Sequence, residues 1–252
     1  MAAEDTAANG ATQGGTPPAD VTAQRIADIA LKHFAQRGYT STKLEAIAIE
    51  AGISKRMVHY YFADKEGLYH EALTQAARKL TPDVAHMEID SAVPVEGVRK
   101  LVDIVFHQYV THPEAVRLLT QASVVDGPQP TAPSLGTDLS ELTLHMNRLL
   151  LTGQDAGAFR PGISAQDVFT LIASLAMYGT TNALVMDSIL GVDMSSEANT
   201  AGLHRLVVDT VLAFLTSNIP ATGQDSYLSV NQLEEHADSS DTIYGSEHDI
   251  YA

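Results

Sequence analysis

Two short apolar-patterned segments joined by one glycine, between Thr42 and Phe62, constrain this chain more than any other feature. Thr42-Lys43-Leu44-Glu45 has the pattern of a capping box, in which the threonine oxygen accepts the Glu45 main-chain N–H and the Glu45 carboxylate accepts that of Thr42. It predicts a short helix from Lys43 to about Ala51 with Leu44, Ile47 and Ala48 inward. Gly52 supplies a turn position with positive φ, Ile53 drops into the core, and Ser54 is a good N-cap for a further helix from Lys55 to Phe62. Small Ala48 lets the two helices cross closely, and Val58 anchors the second one. At this spacing the pattern is a helix-turn-helix.

What remains on the outer face of the second helix is Lys55, Arg56, His59 and Tyr60, with Val58 and Phe62 turned inward. Cationic and aromatic groups at the start of a helix suit a DNA major groove, where arginine forks onto guanine and the helix dipole favours phosphate. The same surface has a plainer reading, a solvated charged face in a helical domain, or a helix-turn-helix that meets protein instead of DNA.

The charge distribution limits where DNA could bind. The 252 residues carry 15 Lys plus Arg against 31 Asp plus Glu, net −16, which excludes a uniformly basic coat and leaves only a local site. Residues 21–72 hold seven basic groups and six acidic ones, whereas residues 73–220 hold eight and fifteen. Residues 1–20 and 221–252 contain no Lys or Arg; the first reads as a flexible small-residue tail and the second as an acidic one. With no cysteine, disulfides, zinc ribbons and cysteine nucleophiles are excluded.

Hairpin signals are scarce and 3.6-residue periodicity recurs, so an all-α fold is expected. Ile26, Ile29, Ala30, His33 and Phe34 mark a first helix from about Val21 to Arg37, closed by Gly38. Asp64 is a plausible N-cap for a helix running to Leu80. Further helices are expected at Val95–Val110, from Pro113, at about Leu135–Thr152, from the weak capping box Ser164–Asp167 as one long helix to Leu190, and at Glu197–Thr216. Val168 to Met186 is uncharged over 19 residues, but its polar content and its flanks, Asp167 and Asp187, weigh against a membrane span. The first twenty residues lack a basic region followed by an apolar one, so no secretory signal is read and a cytoplasmic location is expected.

Arg25-Ile26, Ala30, Phe34, Gly38-Tyr39, Thr42, Ile47-Ala48, Ala51-Gly52-Ile53-Ser54-Lys55, Tyr61-Phe62 and Lys65-Glu66-Gly67-Leu68 together resemble the DNA-binding domain of the TetR family of bacterial transcriptional regulators. The resemblance covers about fifty consecutive residues. It implies a DNA-binding domain over residues 21–67, an effector-binding and dimerisation domain over 68–220, a homodimer on a palindromic double-stranded operator, and release by a small-molecule effector. Position by position, it implies phosphate contacts at Thr42 and Lys65, groove reading by Lys55, Arg56 and Tyr60 from the helix that Ser54 opens, and a less certain role for His59, where the family commonly has tyrosine.

Bulky groups with a polar handle or soft surface in the second domain, Phe106, Tyr109, His145, Met146, Phe169, Met177 and Tyr178, are candidates to line an effector pocket, although each alone also suits a core. The last two long helices are apolar over much of their circumference. Leu175, Leu184, Leu203, Val207, Val211 and Phe214 are therefore the candidate dimer interface, with full burial inside the protomer as the alternative. The histidines lack metal-ligand spacing and no phosphate loop or nucleophile elbow is present, so no metal, no cofactor and no catalysis is expected. The leading expectation is a repressor; an activator of the same fold and a protein-binding scaffold are the alternatives.

Overall fold

The computed structural model describes residues 19–82, 93–124, 128, 136–219 and 226–228. Among them the chain is helical, with ten helices and no strand: α1 (Ala19–Ser41), α2 (Leu44–Ala51), α3 (Lys55–Phe62), α4 (Lys65–Leu80), α5 (Pro94–Thr111), α6 (Pro113–Val124), α7 (Gly136–Asp155), α8 (Ala165–Thr181), α9 (Ala183–Leu190) and α10 (Glu197–Thr216). The break expected over 127–133 and the tails expected over 1–20 and 221–252 lie outside the described residues apart from Pro128, residues 226–228, and Ala19 and Asp20, which belong to α1 and not to a tail.

α1 is interrupted at Gly38, where φ is +74°, close to its expected end. Its far end is fixed by aromatic contacts. The fully buried Phe34 ring meets Tyr69 of α4 edge-on at 5.0 Å, and Tyr39 meets the same ring at 4.9 Å. Further along, Lys79 of α4 reaches Asp28 of α1 at 3.1 Å. α6 packs against both α1 and α4, and Gln121 Nε2 donates to the Ala35 carbonyl at 3.1 Å. α5 packs on α7, α8 and α10, with Val98, Leu101, Val102, Val105 and Phe106 buried between them. The core is thus continuous from α1 through α6 and α8 to α10.

Two expectations fail on physical grounds. The long helix expected from Ser164 to Leu190 is broken at Asn182, where α8 and α9 meet at 67°. The break lets α8 stay on the core while α9 leaves it: none of the residues of α9 is buried. No single helix among the described residues is long and apolar enough to cross a membrane. The interface expectation fails at Val207 and Val211, both wholly inside the protomer at 0% exposure because they face α5 and α8. Leu175, Leu203 and Phe214 are half-buried, and Leu184 is 78% exposed.

Part of the expected acidic tail is held against the body. Asp167, buried at the start of α8, closes the capping box with Ser164 and also accepts from the Ser226 hydroxyl and the Tyr227 and Leu228 main-chain N–H groups, at 2.9 to 3.3 Å. Arg160 donates from Nε to the Phe214 carbonyl at 2.9 Å and from Nη2 to the Tyr227 hydroxyl at 3.1 Å, its guanidinium lying over the Phe214 ring. Burial pushes the Asp167 carboxyl up, but the hydrogen bonds from Ser164, Tyr227 and Ser226 outweigh it and leave the group below its ordinary 3.8.

A depressed carboxyl pKa stabilises the fold above the unfolded value, and that contribution disappears as pH falls through the folded one. Asp167→Asn is therefore expected to cost about 1–3 kcal/mol at neutral pH, since several part-buried donors lose a charged acceptor. The difference in thermal midpoint from the parent should shrink steadily below about pH 4. A pH-independent difference in a thermal-melt series would refute the charged clasp.

Candidate nucleic-acid interface

The turn between α2 and α3 forms as its residues require. Gly52 has φ +69°, and the Ile53 N–H donates to the Ala48 carbonyl at 3.0 Å. Arg25 Nη2 of α1 donates to the Ala51 carbonyl at 3.2 Å, satisfying the C-terminal end of α2. Ser54 caps α3, its hydroxyl oxygen accepting from the Met57 N–H at 3.3 Å. Val58 is sealed at 0% exposure, while Tyr61 and Phe62 are half-buried. Asp64 then caps α4 by accepting from the Gly67 N–H at 2.8 Å. Residue 67 must lack a side chain, because a Cβ there would stand 2.2 Å from the Phe62 carbonyl oxygen.

These anchors leave one face of α3 in solvent. Lys55, Arg56, His59 and Tyr60 are all exposed, Tyr60 at 77%. Arg56 makes no hydrogen bond or ion pair among the described residues, so its five donors are available. His59 Nδ1 lies 2.7 Å from the Ala63 carbonyl, which only accepts, so the proton sits on Nδ1 and Nε2 faces outward. The Tyr60 ring meets Tyr61 edge-on at 5.3 Å, which limits its swing. Lys65 donates to the Thr40 carbonyl at 3.1 Å with its ammonium 4.7 Å from the Tyr39 ring centre, leaving two ammonium donors beside α3. Burial, with the Glu66 and Asp64 carboxylates adding to it, keeps the Tyr39 hydroxyl above its ordinary pKa and hence neutral.

Thr42 departs from expectation. It is buried, and its hydroxyl donates to the Gly38 carbonyl at 2.7 Å and lies 3.2 Å from that of His33. No side chain caps α2 from Lys43, and Glu45 instead accepts from Lys55. The capping box is absent because the open carbonyls at the end of α1 claim the threonine and a cation ten residues onward claims the glutamate. The phosphate contact implied for Thr42 is corrected accordingly: its side chain ties α1 to α2 from inside. Sequence reasoning also missed the His33–Glu50 contact at 2.7 Å between α1 and α2. Neither spacing, 17 residues or ten, follows helical periodicity, so no local pattern announces it.

The residues singled out for an effector pocket differ in how far they are buried. Phe106, Tyr109 and Met146 are buried in the core, Phe169, Met177 and His145 are half-buried, and Tyr178 stands 45% exposed on the surface. A cleft of about 270 Å³ lies elsewhere, at the junction of α1, α4 and the α5–α6 turn, lined by Asp28, Lys32, Lys79, His112 and Glu114 among others.

A sealed helix-turn-helix presenting a cationic, aromatic outer face defines a DNA-binding protein. Comparison with known proteins places it further. The family described as "Bacterial regulatory proteins, tetR family" matches residues 26–72, and "Tetracyclin repressor-like, C-terminal domain" matches residues 94–211. The chain belongs to the TetR family and is a DNA-binding transcriptional regulator, not an enzyme. It is 29% identical over 195 residues to the HTH-type transcriptional repressor NicS of Pseudomonas putida, covering 77% of this chain and 92% of NicS. The HTH-type transcriptional regulator RutR of Escherichia coli strain K12 is 24% identical over 74% of this chain and 88% of its own. The ketosteroid transcriptional regulator KstR2 of Mycobacterium tuberculosis shares the fold, with a TM-score of 0.55 at 20% identity over 77% of this chain and 94% of that one.

Because the Thr42 hydroxyl faces the interior, Thr42→Val should lower stability by about 1–2 kcal/mol, as the Gly38 carbonyl loses its donor. Thr42→Ser should restore most of it. Thermal unfolding of the three proteins checks this, and an unchanged midpoint in Thr42→Val would contradict the inward assignment.

Proposed function

We propose that this regulator is a repressor that binds a palindromic operator as a homodimer and leaves it when a small molecule binds. One observation carries the DNA reading: Val58 is fully buried, so Arg56 and Tyr60 on the opposite side of α3 are held outward, Arg56 with no hydrogen-bond or ion-pair partner among the described residues. Two reading helices about 34–36 Å apart would match successive major grooves, with Lys65 and His59 beside the phosphates. The name of NicS supports repression over activation. Residues 21–67 act as the reading domain and 68–220 as the effector and dimerisation domain, in the cytoplasm where the operator is met. The acidic body keeps binding local to α3 and its surroundings.

The dimer reading moves from the buried Val207 and Val211 of α10 to the apolar groups standing in solvent: Leu184, Val185, Ile189 and Leu190 on α9, Tyr178 on α8 and Leu206 on α10. Four exposed apolar side chains on one eight-residue helix suit a two-fold contact with a second copy. The effector enters among α5, α7 and α8, where Phe106, Tyr109, Met146, Phe169 and Met177 supply apolar surface.

Selection of duplexes from a random pool should enrich a palindrome. Replacing Arg56 and Tyr60 together by alanine should weaken binding to it by more than tenfold, the loss of two good groove contacts. Equal binding by the double variant would remove α3 from the groove. Separately, Leu184→Asp with Ile189→Asp should convert the dimer to monomer in sedimentation and abolish tight operator binding. A dimer that persists would move the interface elsewhere.

A further inference from the structure

Glu45 belongs to α2, yet its carboxylate reaches the first residue of α3. Its Oε1 accepts from Lys55 Nζ at 2.6 Å across the turn, with the side chains 56% and 49% exposed. The other carboxylates around the helix-turn-helix are engaged elsewhere: Glu50 with His33 at 2.7 Å, Asp64 on the α4 cap, Glu66 toward His70 at 3.7 Å. Around the start of α3 the exposed charged groups are otherwise cations, Lys43, Lys55 and Arg56. A carboxylate here repels phosphate, so it weakens binding to duplex in general. The hydrogen bond from Lys55 and one from its own main-chain N–H hold the Glu45 carboxyl below the usual range, so it stays ionised.

An ionised carboxylate only accepts hydrogen bonds, and the Glu45 side chain, 56% exposed, keeps acceptor capacity facing solvent. In the major groove the donors are the exocyclic amino groups of cytosine and adenine, while guanine O6 and N7 and thymine O4 are acceptors that a carboxylate rejects. The N-terminal side chains of a recognition helix are the ones that meet base edges, and Glu45 shares that position through Lys55.

We propose that Glu45 is a specificity-determining residue of the DNA interface, its carboxylate accepting a hydrogen bond from the amino group of a cytosine or adenine in each half-site. The proposal rests on α3 lying in the groove. Lys55 steadies the carboxylate and offsets its charge, so one lysine is withdrawn from phosphate neutralisation. The protein gives up general affinity and gains discrimination at one base pair.

The test is selection from a random duplex pool with the full-length parent, Glu45→Ala and the near-isosteric Glu45→Gln. The parent pool should show a cytosine or adenine preference in each half-site that vanishes in the alanine pool, the remaining positions being unchanged. Replacing that base pair in the enriched duplex should weaken the parent roughly tenfold and the alanine variant less than about twofold. Glu45→Ala should also bind random duplex more tightly than the parent and release about one more counterion in a salt titration, because Lys55 becomes free for phosphate. Glu45→Gln, which loses the charge and keeps the length, should show the same salt behaviour and a weakened preference. Alanine is the best helix former and the site is exposed, so both variants should keep the parent's unfolding midpoint. Identical base preferences at every position in all three pools would overturn the assignment. A parent that enriches no duplex would overturn the groove reading itself, and this inference with it.

Discussion

The outward face of α3 exists only because its inward face is closed. Val58 packs under α2, Gly52 turns the chain with a positive φ, and Arg25 satisfies the end of α2 from the first helix. An eight-residue helix has no stability of its own in water, so these contacts decide whether α3 forms and which way it points. The stop after α3 is equally constrained. Ala63 adopts φ +61° and ψ −59°, with the Asp64 N–H donating to the Phe62 carbonyl at 2.7 Å, a strained γ-turn. The strain is held by the Asp64 cap and by the absence of a side chain at Gly67.

The helical architecture and the helix-turn-helix were legible in the sequence because they rest on local chemistry: periodicity, a turn glycine, and serine and aspartate caps. What was not legible depends on partners distant in sequence. Ser164–Asp167 and Thr42–Glu45 present the same four-residue pattern, yet only the first forms a capping box. At Thr42 the carbonyls ending α1 and the ammonium of Lys55 compete for the same two groups and win. Asn182 follows Gly179, Thr180 and Thr181, a weak helix-forming run whose signal is masked by the apolar stretches on either side. The inward orientation of Val207 and Val211 follows from where α5 and α8 lie, which no periodicity within α10 can state.

α6 links the helices that frame the helix-turn-helix to the rest of the helical body. It packs against α1 and α4, the two helices that frame α2 and α3, and against α8 on its other side. Its start forms one wall of the cleft that also takes in Lys79 and Asp28, and Gln121 near its end is bonded to the α1 backbone. A packed interior shifts between discrete arrangements and does not deform smoothly. Under the proposed release by a small molecule, a shift of α6 would carry α1 and α4 with it.

The clasp around Asp167 changes where the working body of the protein ends. By helix content the last element stops at Thr216, and a shortened version would naturally be cut there. Such a cut strips a buried anion of the Ser226, Tyr227 and Leu228 donors and leaves the Arg160 guanidinium without its phenol. Any trimmed or fused form intended to keep the native regulatory half must retain the chain through Leu228, with a tag or linker joined beyond that residue.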